Sequence, residues 1–168
     1  MRIVPAIILL LALFGCGYQF AGRSDLLPGG VQTVHLSLFA NQTAEPQLEN
    51  FLANKVSEVF ARNSSISQIE KVEQAEAVLS GEVLSYGSSA ISYDQNDDIS
   101  EYRVTMVVAA TLRQVADGRA LWQGILSWSE EYPAADNKTL QEDFERAAAE
   151  EISLRLAEEL HSRLTNNF

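Results

Sequence analysis

Alternating and helical patterns of apolar residues divide the chain into strands and helices. Apolar and polar residues alternate over 31–39, 77–93, 99–113 and 120–132, which is the period of strands half buried in a sheet. Two other stretches repeat apolar residues every three or four positions, which is the period of an amphipathic helix. The predicted order of elements is therefore β-α-β-β-β-α.

The alternation also assigns side chains to the two faces of each predicted strand. Val34 and Leu38 share one face of the first strand, and Phe39 lies on the other. In the second strand Val83 and Tyr86 lie on opposite faces. The third strand alternates most regularly, and its more apolar face carries Tyr102, Val104, Met106, Val108, Ala110 and Leu112.

Helix starts are predicted from capping residues. Asn41 or Thr43 can cap the first helix, and Pro46 suits its first turn because a missing N–H is no loss there. Residues 139–142 match a capping box, so the second helix should start at Thr139 and continue to about residue 164.

These elements fit a two-layer α/β sandwich. The first helix is long enough for a right-handed crossover to a parallel neighbour. The Asp117–Gly118 turn and the polar residues 94–98 join the last three strands into an antiparallel meander. We therefore predict a four-stranded mixed sheet with both helices packed on one face.

An apolar run near the amino terminus indicates export. Residues 3–14 follow Arg2, and the run is too short to span a bilayer as a stable helix. It ends at Leu13-Phe14-Gly15-Cys16, which resembles a bacterial lipobox, with cleavage between Gly15 and Cys16, a diacylglycerol on the Cys16 thiol and acyl chains such as palmitate. We predict a signal peptide over 1–15, a lipidated tether over 16–30 and one domain over 31–168.

Cys16 is the only cysteine in 168 residues. The alternative is a lone core or disulfide cysteine behind an ordinary signal peptide. A single cysteine cannot form an internal disulfide, so one left over in an exported protein requires another explanation. Several acyl chains on one residue give stable anchoring, since each buried methylene contributes about 0.8 kcal/mol.

Charge and composition exclude some function classes. The formal net charge of −11 argues against nucleic-acid binding through bulk electrostatics. No nucleophile motif, phosphate-binding glycine loop or metal-ligand spacing occurs, so we expect no cofactor and no metal. His35 fits a half-buried strand position and His161 a surface position near a helix end. Trp122 and Trp128 share a strand face; core packing is favoured over an aromatic patch against a partner.

Three segments carry a family resemblance. They are Cys16-Gly17-Tyr18-Gln19-Phe20-Ala21-Gly22, Phe39-Ala40-Asn41-Gln42-Thr43-Ala44-Glu45-Pro46 running into Leu48-Glu49, and Glu101-Tyr102-Arg103-Val104. The resemblance also includes Leu27-Pro28, the predicted strand over 31–39 and the closing helix, and so covers essentially the whole chain after residue 15. With these segments in this order of elements, the sequence resembles the LptE family of lipopolysaccharide-assembly lipoproteins.

The resemblance implies a non-enzymatic lipoprotein of the outer membrane that faces the periplasm. Members plug the lumen of the LptD β-barrel, help it to assemble and help to deliver lipopolysaccharide to the outer leaflet. The resemblance also implies contact with lipopolysaccharide through basic residues at one end of the sheet, for which Arg103 and Lys138 are the candidates. The hairpin tip itself carries Asp94, Asp97 and Asp98.

The sequence leaves two other function classes open. A periplasmic activator of peptidoglycan synthesis usually has a long linker after its lipidated cysteine, whereas here the first strand starts about 15 residues after Cys16. A small periplasmic enzyme would need a nucleophile, base or metal constellation, and the sequence shows none.

Overall fold

The computed structural model describes residues 26–166, which form two α-helices, two short 3-10 helices (Pro28–Gly30 and Val72–Gln74) and six strands. In chain order the strands and α-helices are β1 (Thr33–Leu36), β2 (Ala40–Asn41), α1 (Leu48–Ala61), β3 (Ser67–Gln68), β4 (Ala77–Tyr93), β5 (Ile99–Gln114), β6 (Ala120–Pro133) and α2 (Lys138–Thr165). Cys16 and the predicted signal peptide lie outside the described residues.

All six strands belong to one mixed sheet, in the order β3-β1-β4-β5-β6, with β2 beside β4. β1 is parallel to β4 and β3, and β4, β5 and β6 form an antiparallel meander. The mixed sheet, the parallel neighbour after the first helix and the meander are confirmed. The predicted number of four strands is wrong.

The first predicted strand, residues 31–39, contains only β1, and the chain rejoins the sheet as β2 just beyond the predicted end, with its pairing shifted by one residue. Leu36 pairs with Leu79, whereas Ala40 pairs with Glu82, so four steps along one strand match three along the other. This extra residue is a bulge, which interrupts the ladder. The sixth strand is β3, where the chain after α1 pairs briefly with the outer side of β1.

The shift exchanges the two faces of this segment. Phe39 is buried, with 3% of its surface exposed, and Leu38 is 68% exposed, which is the reverse of the predicted faces. The ring of Phe39 packs where Gly81 carries no side chain: a Cβ at that position would lie 2.4 Å from the ring. Gly81 therefore provides the space that Phe39 fills.

A second bulge lies in β4. Val83 and Ser85 pair with consecutive residues of β5, so Leu84 is the extra residue. Beyond it, Tyr86 lies on the same face as Val83, because it pairs with the buried Met106. The prediction that Tyr86 and Val83 face opposite ways is wrong for this reason.

Both helices cover one face of the sheet, which we call the inner face. It carries Val104, Met106, Val108, Ala110 and Leu112 of β5, each no more than 2% exposed. The helices contribute Leu48, Leu52, Val56, Phe60, Ile152, Leu156, Leu160 and Leu164, which are equally buried. Burial of one large side chain contributes about 1.5–3 kcal/mol, so this layer holds the two-layer sandwich together.

Helix α2 is capped by a residue other than the predicted one. The Asn137 side chain accepts hydrogen bonds from the backbone N–H groups of Thr139 (2.8 Å) and Leu140 (3.3 Å). The helix therefore begins at Lys138, and the capping box predicted to start at Thr139 does not form.

Helix α1 has no side-chain cap. Asn41 instead orders the loop before it, with Oδ1 accepting from the Thr43 N–H at 3.0 Å and Nδ2 donating to the Glu45 carbonyl at 2.7 Å. The chain then turns at Gln47, whose φ of 71° is left-handed, directly after Pro46.

The histidines and tryptophans divide between confirmed and corrected predictions. His35 is half-buried as expected, with Nδ1 3.1 Å from the Ile69 carbonyl. His161 is also half-buried, because its ring packs edge-on against Phe60 at 5.3 Å. Trp122 packs against the core, but Trp128 is 40% exposed on the edge strand β6.

Replacement of Gly81 tests the space that Phe39 occupies. We expect Gly81→Ala to destabilise the fold by about 1–3 kcal/mol, because the new Cβ would lie 2.4 Å from the Phe39 ring and 2.6 Å from the Ala109 carbonyl oxygen. Urea unfolding measures the loss. Gly87→Ala is the matched control in the same strand, since no atom lies within 4 Å of its Cβ position. Equal stability of the two variants would contradict the assigned packing.

Candidate interaction surface

The face of the sheet opposite the helices, the outer face, carries small, β-branched and polar side chains. Register places them in rows across β4, β5 and β6: Ser80, Thr111 and Gln123; Glu82, Ala109 and Ile125; Ser85, Val107 and Ser127; Gly87, Thr105 and Ser129. None of these residues is buried, and Ile125 is 63% exposed. The outer face is thus a broad surface of low relief with an apolar centre.

Polar groups on the outer face bond to one another across the strands. Thr105 Oγ1 lies 2.8 Å from Ser129 Oγ. Arg103 Nη2 and Nε donate to Glu131 Oε1 at 2.6 and 3.1 Å. Because these groups already have partners, a protein that covers this face would leave few of them without a hydrogen bond.

The two basic residues expected to contact lipopolysaccharide lie in different layers. Arg103 lies on the outer face and is paired with Glu131. Lys138 begins α2; its side chain is 90% exposed, and Nζ lies 3.6 Å from Glu142 Oε1. Each cation has its own carboxylate, so the structure does not combine them into one positive patch.

An open cleft of about 310 Å³ lies beside the start of α1, between that helix and α2. Tyr86, Glu45, Glu142 and Glu145 contribute to its lining, together with Arg146. Burial, and then the charges of Glu45 and Glu142, raise the pKa of Glu145 above its ordinary value. Burial is likewise the main cause that raises the pKa of the Tyr86 hydroxyl.

Sequence patterns did not indicate this cleft. Glu142 and Glu145 are three residues apart on α2, a spacing that places them on the same side of the helix and is the one available signal. The contribution of Tyr86 depends on the bulge at Leu84; the sequence indicates a bulge or bend in this strand at Gly81 or Gly87, but not at Leu84. The side chains that line the cleft include carboxylates, a phenol and a guanidinium.

A tyrosine pair secures the far end of the meander. The rings of Tyr102 and Tyr132 stack at 5.5 Å between centroids, and Tyr132 Oη lies 2.8 Å from Ser88 Oγ. Burial raises the pKa of the Tyr132 hydroxyl. This pair joins β5 to β6, and the Ser88 hydrogen bond extends the contact to β4.

Neither a metal centre nor a membrane-spanning helix occurs in the described part of the chain. Among residues 26–166, no three histidine, cysteine or acidic side chains come together in a way that could hold a metal ion. No helix in that range combines the length and the apolar character needed to cross a bilayer.

Comparison with known proteins identifies a family and a recurrent fold. A family model described as lipopolysaccharide-assembly, LptE, matches residues 31–164. No curated protein matches the chain significantly in sequence.

Solved structures share the fold at low identity. Lipoprotein B from Nitrosomonas europaea has a TM-score of 0.58 at 14% identity, covering 89% of this chain and 90% of its own. Rare lipoprotein B from Shewanella oneidensis has a TM-score of 0.52 at 14% identity, covering 75% and 89%. The PelC dodecamer from Paraburkholderia phytofirmans has a TM-score of 0.50 at 16% identity, covering 86% and 93%.

The acidic cleft yields a pH-dependent prediction. A carboxyl whose pKa is raised by folding stabilises the fold at low pH, and this contribution is lost as pH rises through the raised value. We therefore expect Glu145→Gln to stabilise the protein at pH 7 by about 0.5 kcal/mol, the size of a like-charge contact on a helix. The gain over the parent should shrink as pH falls toward 4.5, the ordinary value for this carboxyl.

Urea unfolding at several pH values measures this difference. Glu150→Gln, at an exposed position on the same helix, is the matched control. A gain for Glu145→Gln that does not change with pH, or that Glu150→Gln reproduces, would contradict the assigned burial and repulsion of the Glu145 carboxylate.

Proposed function

Since the chain belongs to the LptE family of lipopolysaccharide-assembly proteins, we propose that it is an outer-membrane lipoprotein that plugs an LptD β-barrel and helps it to assemble. The family is one of non-enzymatic lipoproteins, so the expected role is binding without catalysis. Family membership supports lipopolysaccharide assembly; the barrel partner, the outer-membrane location and the periplasmic orientation are our proposal.

The exposed outer face of the sheet is the observation that supports a barrel partner. Both helices are used to cover the inner face, and the rows from Ser80 to Ser129 are exposed or half-buried. A partner wall of β-strands suits such a surface, because small and β-branched side chains allow close approach over a wide area. We propose that the outer face is the side that docks against the barrel wall.

The anchor in this proposal is Cys16, as the lipobox pattern predicts. Residues 16–30 would connect the acyl chains to the domain, and a tether this short keeps the domain close to the membrane. Proximity of this kind raises the effective concentration of the domain at a membrane-embedded partner.

Contact of Arg103 and Lys138 with lipopolysaccharide remains a separate prediction. An anionic sugar phosphate must displace Glu131 or Glu142 to reach either cation, and exposed ion pairs of this type are worth no more than about 1 kcal/mol. The plug role does not require this contact.

Affinity purification tests the barrel partner. The native lipoprotein, recovered from detergent-solubilised outer membrane, should bring down a large β-barrel. Ser85→Arg, in the middle of the outer face, should reduce the recovered barrel by about tenfold, since it buries an unpaired charge in the contact. Ala147→Arg adds the same charge at an exposed position of α2 and should leave recovery unchanged.

Three results would count against the proposal. One is recovery of the lipoprotein without any barrel. Another is normal barrel assembly in cells that lack the lipoprotein. The third is cross-linking to a peptidoglycan synthase, which would favour the alternative class of periplasmic activator.

The anchor has its own test. Cys16→Ala should abolish incorporation of radiolabelled palmitate into the protein, because the mutation removes the only thiol in the chain. The parent protein is the positive control. Continued labelling of the variant would refute acylation at this residue.

A further inference from the structure

Strand β6 forms an edge of the sheet. It runs for 14 residues, and within residues 26–166 no strand pairs with the side that faces away from β5. An exposed edge of this length presents backbone N–H and C=O groups to which another extended chain can bind. Native proteins usually protect such an edge.

The pairing of β4 with β1 shows which backbone N–H and C=O groups of β6 point to the free edge. The Leu79 carbonyl accepts from the Ser37 N–H at 2.9 Å, so Leu79 bonds toward β1. The N–H and C=O groups of successive residues point to opposite sides of a strand. Those of Glu82, three residues after Leu79, therefore point toward its partner Ala109 on β5. Ala109 therefore bonds toward β4, and Ile125, opposite it on β6, directs its own N–H and C=O to the free edge.

Arg163 of α2 occupies this free edge. Its Nη1 donates to the Ile125 carbonyl at 3.3 Å, while its Nε donates to Glu159 Oε1 at 2.7 Å. Glu159 lies one turn earlier on α2, so an ion pair within the helix holds the Arg163 guanidinium in place. The contact falls near the middle of β6.

The edge is self-complementary about this same residue. In an antiparallel pair of two β6 strands centred on Ile125, the two Ile125 residues exchange both N–H···O=C hydrogen bonds. Gln123 then faces Ser127 of the second copy. The two-fold axis is perpendicular to the sheet, so both helix layers lie on the same side.

Side chains farther from the centre also match. Trp122 of each copy faces Trp128 of the other on the inner face, and aromatic pairs of this kind stabilise strand pairing. Pairing registers centred on Gln123 or Ser127 do not bring the two tryptophans together.

We propose that the free edge of β6 is a strand-pairing surface for a second copy of this chain, and that Arg163 holds it closed. The two-fold axis of the pair passes between the two Ile125 residues, and Arg163 binds the Ile125 carbonyl. In both copies Arg163 must therefore release this carbonyl before the strands can pair. The self-complementary sequence of β6 favours a second copy over an unrelated strand. The closed state is a monomer, and the proposal does not depend on the barrel partner.

Removal of Arg163 provides the test. The full chain is purified in detergent, and its mass is measured by sedimentation equilibrium over a range of concentrations. The parent should be mainly monomeric, and Arg163→Ala should lower the dimer dissociation constant at least about tenfold. Arg155→Ala is the matched control, since Arg155 pairs with Glu151 and Glu158 of the same helix.

A second substitution checks that the pairing uses β6. Ile125→Lys in the Arg163→Ala background should restore the monomer, because it brings two like charges together at the centre. Hydrogen exchange should show protection of residues 123–127 that appears only in the dimer. If circular dichroism shows that Arg163→Ala does not fold, Glu159→Gln releases the arginine without removing it and should also promote pairing.

Several outcomes would overturn the proposal. They are a folded Arg163→Ala variant that stays monomeric at every concentration, a dimer that persists with Ile125→Lys, and a dimer in which residues 123–127 gain no protection. Increased recovery of barrel by Arg163→Ala without self-association would also overturn it, since the occupant of the edge would then be a barrel strand.

Discussion

The fold depends on one apolar layer, in which α1 and α2 cover the inner face of the sheet. The largest buried side chains, such as Phe60, Met106, Ile152 and Leu156, all lie in this layer. This domain has two α-helices and one sheet with which to remove apolar surface from water. Both helices pack on the inner face, so neither is left to cover the outer face. The opposite face of the sheet must therefore meet either water or a partner. This constraint gives the outer face its importance for function.

Single-residue shifts in strand pairing decide which side chains enter that layer. The bulge after β1 turns Phe39 inward over Gly81, and the bulge at Leu84 returns Tyr86 to the inner face. Since the side-chain period of a strand is two, one extra residue reverses every later position. Tyr86 lines the acidic cleft with Glu145 because the bulge places it on the inner face, which α2 covers. Local backbone geometry thus places groups that are far apart in sequence beside one another.

Charge on this acidic protein is distributed in local pairs. Arg103, Lys138 and Arg163 each lie against a carboxylate of the same sheet or helix. Such pairs contribute little stability individually, but each places a negative charge beside the cation that an anionic ligand would have to reach. Binding by shape and backbone complementarity therefore fits this structure better than attraction of an anionic ligand. A role as a docking partner agrees with membership of a non-enzymatic family.

Sequence periodicity by itself determined the order of the main elements, the buried stripes of both helices and the inner face of β5, because these patterns report burial in regular structure directly. The tertiary structure alone decided the break in the first strand, the short strand β3, the side taken by Phe39 and Tyr86, and the cap at Asn137. It also brought Arg163 onto the Ile125 carbonyl, 38 residues away in sequence. Bulges, caps and contacts between layers arise from competition among neighbours distant in the chain, which a local pattern of apolar and polar residues does not contain.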